Sequence, residues 1–478
     1  MTFTTQIIKG FKWTLAIQVL SQIANWAITI FVIRLLSPDD YGIYAIAITI
    51  TAFLVQCGEF GIANALIQKN NFDKILLKKV FGFVLLIHVL FFLLLYLSAQ
   101  YISAFYGIDA LRSVLQVQAV QFLMLSLTVI PDAKMRNEMR FKLLSIVTFS
   151  TAIFGGLMTL VLAYMDFGYW ALVWGNFARI FSLVIFLHSV SPSILMPNFN
   201  FKNMSGVGKF GGIVVLNRLL FHLYSKSDIL IIGKVLSSST TGLYNVAKDL
   251  ATLPMAKIAS SINIVAFSAF SKYEDRGLVA KHYIKATSVL SMISFPVFVG
   301  ISSVSPELVP TVLGDRWTGL IMTLQLIAVA VPFRVLNIIH GPLLDGLGSP
   351  EKSLKNTIIA LAVYVPAFIF CSRWGAEGMA MAWVVLTPLY YALIVYRVRD
   401  EVPFRMSELL LEILPPLIFS IVMFISVRSI SYIINHYLMI DGIFLLIMEI
   451  MAGCLVYVSL IYFLQKSRFT ELLLLVKR

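Results

Sequence analysis

The stretch that decides the fold occurs twice, 200 residues apart. Residues 36–47 read LSPDDYGIYAIA, and residues 236–247 read LSSSTTGLYNVA. The copies share five identities, including a Gly-x-Tyr that opens a long apolar run, and a second pair of anchors lies at Gly168 and Gly378. These matches predict an internal repeat, the alternative being a chance likeness between two helix ends.

Between and around the repeats the chain is far too apolar for a water-soluble protein. Of its 478 residues, 59% are hydrophobic and 13% are charged, with a mean hydropathy of +0.89. Soluble domains are about half apolar and about a quarter charged. Apolar stretches of the length that crosses a bilayer recur from end to end, which predicts an all-α integral membrane protein.

The apolar stretches predict about fourteen transmembrane helices. Their cores are 12–36, 41–67, 79–105, 110–131, 143–165, 168–190, 208–234, 242–269, 284–306, 318–344, 354–371, 376–396, 407–427 and 442–465. We divide them into an N-terminal six-helix lobe (1–200), a second six-helix lobe (201–400) and two extra helices with a tail (401–478). Six helices are an even number, so the repeat is parallel, which places a substrate path between lobes that rock to give alternating access.

Loop charges predict that both termini are cytoplasmic. With that orientation 25 of the 37 basic residues lie in cytoplasmic segments and six, including Arg428, lie in outer loops. The formal charge of +13 is therefore a topology signal, and no nucleic-acid binding is predicted. The three cysteines all lie in apolar runs, so we expect neither disulfides nor a metal site, and no cofactor.

Six basic residues remain inside predicted helices, where each costs about 2.5–3.5 kcal/mol at a helix centre. They are Arg179, Arg218, Lys226, Lys248, Lys257 and Arg334. Such side chains should face a cavity or a partner. Because the acids at similar depth are fewer, an anion site is favoured over internal ion pairing, such as Arg218 with Asp249 or Lys226 with Asp228.

Polar stripes on two helices extend this prediction. The seventh helix carries Arg218, His222 and Ser225 on one face, and the eighth carries Asn245, Lys248 and Asp249. The predicted substrate-binding residues are Arg218, Lys226, Lys248, Arg179, Arg334, His222 and Asn245, with Gln18, Gln22 and Asn25 from the first helix. Intramembrane acids often relay protons or bind Na⁺, so Glu59, Asp228 and Asp249 are the candidates for ion coupling.

Several segments resemble one family of membrane transporters. Residues 34–45 resemble the hallmark after the first helix of the polysaccharide transporters, the Wzx-type flippases of the multidrug/oligosaccharidyl-lipid/polysaccharide exporter superfamily. Similar matches are Glu59-Phe60-Gly61, where aspartate is the more usual acid, the basic loop 135–142 and Leu313-Gly314-Asp315-Arg316-Trp317. The likeness covers the whole chain and is closest to the colanic-acid and exopolysaccharide exporter branch.

The resemblance implies a V-shaped fold, similar to that of the multidrug exporters in the superfamily, and a flippase function. The implied substrate is an oligosaccharide on undecaprenyl diphosphate, moved from the cytoplasmic to the outer leaflet of the bacterial inner membrane. Membrane lipids, H⁺ or Na⁺, and the polysaccharide polymerase with its chain-length machinery are the implied partners. The family supplies no universal binding motif, so the site residues rest on the charge argument.

Two other functions are compatible with a polytopic protein. A drug or cation antiporter of the same superfamily is expected to have an acidic or apolar cavity, whereas the cations here predict a basic one. An integral membrane polymerase is expected to have a long outer loop, which the predicted topology lacks. An acyltransferase needs a catalytic histidine in a polar setting, and the six histidines are scattered.

Overall fold

The computed structural model describes residues 24–58, 74–193, 195–200, 212–271, 275–437, 442–466 and 468. Within these ranges the chain is helical and contains no β-strand, which confirms the predicted all-α class. The helices of the first half are α1 (Ala24–Leu35), α2 (Pro38–Gly58), α3 (Lys74–Tyr106), α4 (Ala110–Asn137), α5 (Phe141–Tyr164), α6 (Tyr169–Val190) and α7 (Gly212–Val235).

The second half continues in the same way. Its helices are α8 (Ser238–Ser271), α9 (Arg276–Leu308), α10 (Ile321–Asn337), α11 (His340–Gly346), α12 (Pro350–Cys371), α13 (Gly375–Val398), α14 (Met406–Tyr437) and α15 (Ile443–Leu464). A π-helical turn (Val309–Leu313) and a 3₁₀ segment (Asp315–Leu320) join α9 to α10, and a second 3₁₀ segment (Ser372–Trp374) joins α12 to α13.

Ten described stretches are long and apolar enough to cross a membrane. All fourteen predicted cores overlap described helices, but the count of fourteen crossings stays a prediction. The helices α7 and α8, which carry the predicted polar stripes, are not among the ten. Charged side chains such as Lys226, Asp228 and Lys248 lower their apolar character.

The chain divides into two compact units, residues 1–242 and 243–478. In the first, the core is built from α2, α3, α4 and α6 around Ile46, Leu95, Leu115 and Phe122. The helix α7 packs against α2 in this same unit. The boundary between the two units therefore lies at residue 242, beyond the predicted lobe boundary at residue 200. The two-lobe repeat stays a prediction.

In the second unit, α9 is the central helix. It packs against α10, α14 and α15. One core cluster joins Met292 and Val299 of α9 to Met423 of α14 and Leu446 of α15. The two C-terminal helices thus contact α9 through apolar side chains, and between helices in a bilayer such contacts stabilise by van der Waals packing.

Two helix boundaries differ from the prediction in a way that matters below. The helix α14 continues to Tyr437 rather than ending at residue 427, so Arg428 lies within a helix and not in an outer loop. The helix α9 continues through Leu308, which brings Glu307 into its last turn. The apolar residues that follow Arg428, such as Ile434, sustain the helix beyond the charge.

Candidate functional site

A small cavity in the first unit is lined by α2, α3 and α7. Its volume is about 160 Å³, below the roughly 300–1,000 Å³ that is usual for pockets that bind drug-sized ligands. His222 and Lys226 of α7 line it together with Phe53 of α2 and Leu94 of α3. The cavity therefore suits a small group rather than a whole ligand.

The polar end of the 160 Å³ cavity is formed by one turn of α7. His222 and Lys226 are four residues apart and so lie on the same helix face. The ring of Phe53 lies 6.2 Å from the imidazole, centroid to centroid. His222 Nε2 is buried and has no hydrogen-bond partner among the described residues. The cavity thus joins an ammonium group and an imidazole nitrogen with open hydrogen-bonding capacity to apolar walls.

A second cation of the first unit, Arg179 on α6, is held by amides. Its Nε and Nη2 donate to Asn176 Oδ1 at 3.3 and 3.1 Å. Asn176 Nδ2 in turn donates to Gln121 Oε1 of α4 at 3.1 Å, and Gln121 is buried. No carboxylate of the described residues lies within ion-pair distance of Arg179. The amide chain fixes the guanidinium but leaves its positive charge uncompensated.

A close helix crossing sets the place of Arg179. A Cβ added to Gly155 of α5 would lie 2.5 Å from Arg179 Cβ and 2.9 Å from the Gly175 carbonyl oxygen. Glycine is therefore required for α5 and α6 to approach at this point, as small residues allow in membrane helix pairs. The approach brings the Arg179 backbone against α5.

The second unit holds two cations on one aromatic ring. Lys248 Nζ of α8 lies 5.2 Å, and the Arg334 guanidinium carbon of α10 lies 4.4 Å, from the ring centroid of Trp383 on α13. Both distances are within the range of cation–π attraction. Lys248 is only 4% exposed. Arg334 Nη1 is buried without a hydrogen-bond partner among the described residues, which also place no carboxylate within ion-pair distance of it.

Trp383 is itself rigidly held. Its Nε1 donates to Tyr244 OH at 3.0 Å, and the rings of Tyr364 and Phe368 lie 5.0 and 5.1 Å away. The tryptophan is fully buried. Sequence reasoning missed it because it lies in an apolar run, although a tryptophan near predicted intramembrane cations is a usable signal for a cation–π partner.

The remaining predicted residues are spread over several environments. Asn245 Nδ2 donates to Asp249 Oδ2 at 3.1 Å on the exposed side of α8, so these two bond to each other. Asp228 is fully buried, and its Oδ1 accepts a hydrogen bond from the Ile229 backbone at 2.8 Å. Asn25 is partly buried on α1. Gln18, Gln22, Glu59 and the side chains of Arg218 and Lys257 lie outside the described residues.

The structure therefore brings together two of the predicted sets. His222 and Lys226 share a cavity in the first unit, and Lys248 and Arg334 share Trp383 in the second. Arg179 lies on its own amide network. The described residues contain no group of three or more side chains suited to a metal ion.

Comparisons with known proteins agree with this architecture. A family described as "Polysaccharide biosynthesis protein" matches residues 31–322. The teichuronic acid biosynthesis protein TuaB of Bacillus subtilis (strain 168) is 24% identical over 473 residues, covering 96% of each chain. The lipopolysaccharide biosynthesis protein WzxC of Escherichia coli (strain K12) is 23% identical over 400 residues, covering 81% of this chain and 79% of its own.

A solved structure is similar over nearly the whole chain. The lipid II flippase MurJ in an inward closed conformation superposes with a TM-score of 0.77 at 14% identity, covering 95% of this chain and 99% of its own. At that identity the likeness shows the fold and leaves the substrate open.

Proposed function

Since this chain belongs to the polysaccharide biosynthesis protein family, we propose that it is a flippase for an undecaprenyl-diphosphate-linked oligosaccharide. The cargo is a repeat unit of an O-antigen, a capsule or an exopolysaccharide, moved from the cytoplasmic to the outer leaflet. The names of TuaB and WzxC support a glycan cargo. The chain is a multi-pass membrane transport protein and not an enzyme.

The observation that carries the proposal is the uncompensated charge of Arg179 and Arg334. Neither guanidinium has a carboxylate partner among the described residues, and Arg334 Nη1 has an unused donor. A guanidinium in a low-dielectric setting needs an anion, and its planar fork matches phosphate oxygens. A diphosphate linker supplies that charge when the substrate binds.

The other predicted residues complete the proposed machinery. Lys226 and Lys248 add positive charge, His222 adds a ring nitrogen able to form a hydrogen bond, and Arg218, Asn245, Gln18, Gln22 and Asn25 are proposed as further contacts. Coupling to H⁺ or Na⁺ is proposed through Glu59, Asp228 and Asp249. Alternating access by the two-lobe repeat, an inner-membrane location and cytoplasmic termini belong to the same proposal.

The test neutralises the two arginines. R179Q, R334Q and the double variant are reconstituted in liposomes, and the outer-leaflet fraction of lipid-linked oligosaccharide is followed over time. A hydrogen bond to a charged group contributes about 1.5–3 kcal/mol, so each single variant should be slower by about tenfold or more. The double variant should be slower still.

A matched control removes a cation with a different role. Arg136 Nε is paired with Asp132 at 2.6 Å, and its side chain is half-exposed, so R136Q should transport at the wild-type rate. Full transport by a double variant that elutes as a folded protein in detergent would exclude the two arginines from substrate binding. Imposed H⁺ and Na⁺ gradients in the same liposomes identify the coupling ion.

A further inference from the structure

A second charged cluster lies away from these cations, where α9, α14 and α15 meet. Arg428 Nη1 of α14 donates to Glu307 Oε1 and Oε2 of α9 at 3.0 and 2.8 Å. The same nitrogen donates to the Ser303 carbonyl oxygen at 3.2 Å. Ser431 Oγ donates to Glu307 Oε1 at 3.0 Å. Glu307 is therefore fully provided with donors.

Glu449 on α15 is the third member of the cluster, and it lacks such hydrogen-bond donors. Its Oε1 lies 4.0 Å from Arg428 Nη1, at the limit of an ion pair. Its side chain is 0% exposed, and neither carboxyl oxygen has a hydrogen-bond partner among the described residues. Glu307 and Arg428 are the charged groups that face it from α9 and α14, the helices packed against α15.

The charge balance of the cluster decides the state of Glu449. Two ionised carboxylates and one guanidinium would leave a net charge of −1 in a buried place. An uncompensated buried charge costs several kcal/mol, and such a group neutralises instead. Glu307 accepts three hydrogen bonds that favour its ionised form, whereas Glu449 accepts none.

We propose that Glu449 is a proton-binding site, neutral when Arg428 pairs with Glu307 and ionised when Arg428 turns to it. Release of the proton leaves a Glu449 carboxylate that competes with Glu307 for one guanidinium. This inference concerns residues outside the proposed substrate site and holds whether or not the chain is a flippase.

A proton suits this cluster better than a metal cation. The guanidinium of Arg428 already lies within 4.0 Å of both carboxyl groups, in the position that a cation would take between them. Hard cations such as Na⁺ or Ca²⁺ need several oxygen ligands directed at one point. Here the oxygens of Glu307 are directed at Arg428.

The exchange is linked to helix packing. Glu449 lies one turn from Leu446, which packs with Met423 and Val427 of α14 in the apolar cluster of this unit. Gly453, one turn further, lies against Val427. An ionised Glu449 therefore sits beside apolar side chains, and movement of Arg428 toward it changes how α15 contacts α14.

Infrared difference spectroscopy of the purified protein tests the site directly. At neutral pH the wild type should show the carbonyl-stretch band of a protonated carboxylic acid, and E449Q should lack that band. E307Q leaves Glu449 as the sole acid for Arg428, so this variant should also lose the band. In the wild type the band should decline as the pH is raised.

The control is E412Q, because Glu412 is ion-paired to Arg468 at 2.9 Å on the same α14 helix; it should leave the band unchanged. A band that persists in a folded E449Q variant would overturn the proposal. Loss of the wild-type band on adding Na⁺ at constant pH would also overturn it, in favour of a cation site. Transport is not part of the readout, so failure of the flippase proposal would be seen separately.

Discussion

At the scale of single residues, the cations are held in ways that differ from ion pairs. The guanidinium of Arg179 donates to a side-chain amide, and that of Arg334 lies over an indole ring. Such partners hold a cation in place without cancelling its charge, as carboxylates would. The two arginines therefore remain available to an anionic ligand.

The ring of Trp383 should contribute more to the stability of the protein than the hydrogen bond that its Nε1 donates. W383L removes the face that Lys248 and Arg334 share, a loss of about 0.5–2 kcal/mol per cation in addition to the cavity it leaves. Y244F removes the hydrogen bond that Trp383 Nε1 donates, worth about 1 kcal/mol, and leaves the indole ring in place. Thermal unfolding in detergent should give the order wild type, Y244F, W383L from most to least stable. Equal midpoints for the two variants would contradict the cation–π role.

The sequence predicted the cations but not their partners. Arg179, Lys248 and Arg334 stand out because charged residues are rare in apolar runs. Trp383 and Gln121 do not stand out, since their contacts join helices far apart in the chain and depend on how those helices cross. Arg428 and Glu307 were missed for a different reason, namely the helix ends that placed them outside the predicted spans.

At the scale of helices, the two copies of the repeated segment contact each other at their glycines. A Cβ added to Gly42 would lie 1.7 Å from the Ser238 carbonyl oxygen, and one added to Gly242 would lie 1.8 Å from that of Pro38. Ser238 Oγ also donates to Asp39 Oδ1. The glycine in each Gly-x-Tyr thus permits a backbone-to-backbone contact between α2 and the start of α8.

Alanine at either position should therefore be costly. G42A and G242A place a methyl group against backbone, which cannot move aside as a flexible side chain can, so we expect losses of at least about 1–3 kcal/mol. G341A is the control, since no heavy atom lies within 4 Å of its added Cβ. Detergent-solubilised yield and thermal midpoint measure the effect. Normal stability of G42A would show that the crossing is looser than described.

An ion pair joins the start of α12 to the residues just after α13, and the stability it gives should depend on pH. The hydrogen bond from Lys352, whose Nζ lies 2.6 Å from Glu401 Oε1, lowers the pKa of Glu401 below its ordinary 4.5. A lowered folded-state pKa means that the stabilisation is present at neutral pH and is lost as the pH falls through the folded value.

The difference in thermal midpoint between wild type and E401Q should therefore shrink as the pH is lowered below 4.5. The effect should be small because the pair is partly exposed. In the K352M background the pH-dependent effect of E401Q should be smaller, since only Ser349 and Arg276 then lower the pKa of Glu401. A difference that is independent of pH in both backgrounds would contradict the ion pair.

At the scale of the whole molecule, the length and recurrence of the apolar stretches predicted the class of protein well. All fourteen predicted cores overlap described helices, because bilayer thickness sets the length of each apolar run. The number of membrane crossings is harder to predict. The helices α7 and α8 carry charges that the proposed function uses, and these charges lower their apolar character. Contacts also join α7 to the first unit, which loop charge and periodicity could not indicate.

The most direct test of the central claim is transport by the purified chain. Proteoliposomes are loaded with an oligosaccharide on undecaprenyl diphosphate, or with the same glycan on an uncharged polyprenyl carrier, and the fraction that reaches the opposite leaflet is measured. The account predicts rapid movement of the diphosphate-linked form and little movement of the uncharged form. Movement no faster than in protein-free liposomes, or equal movement of both forms, would contradict it.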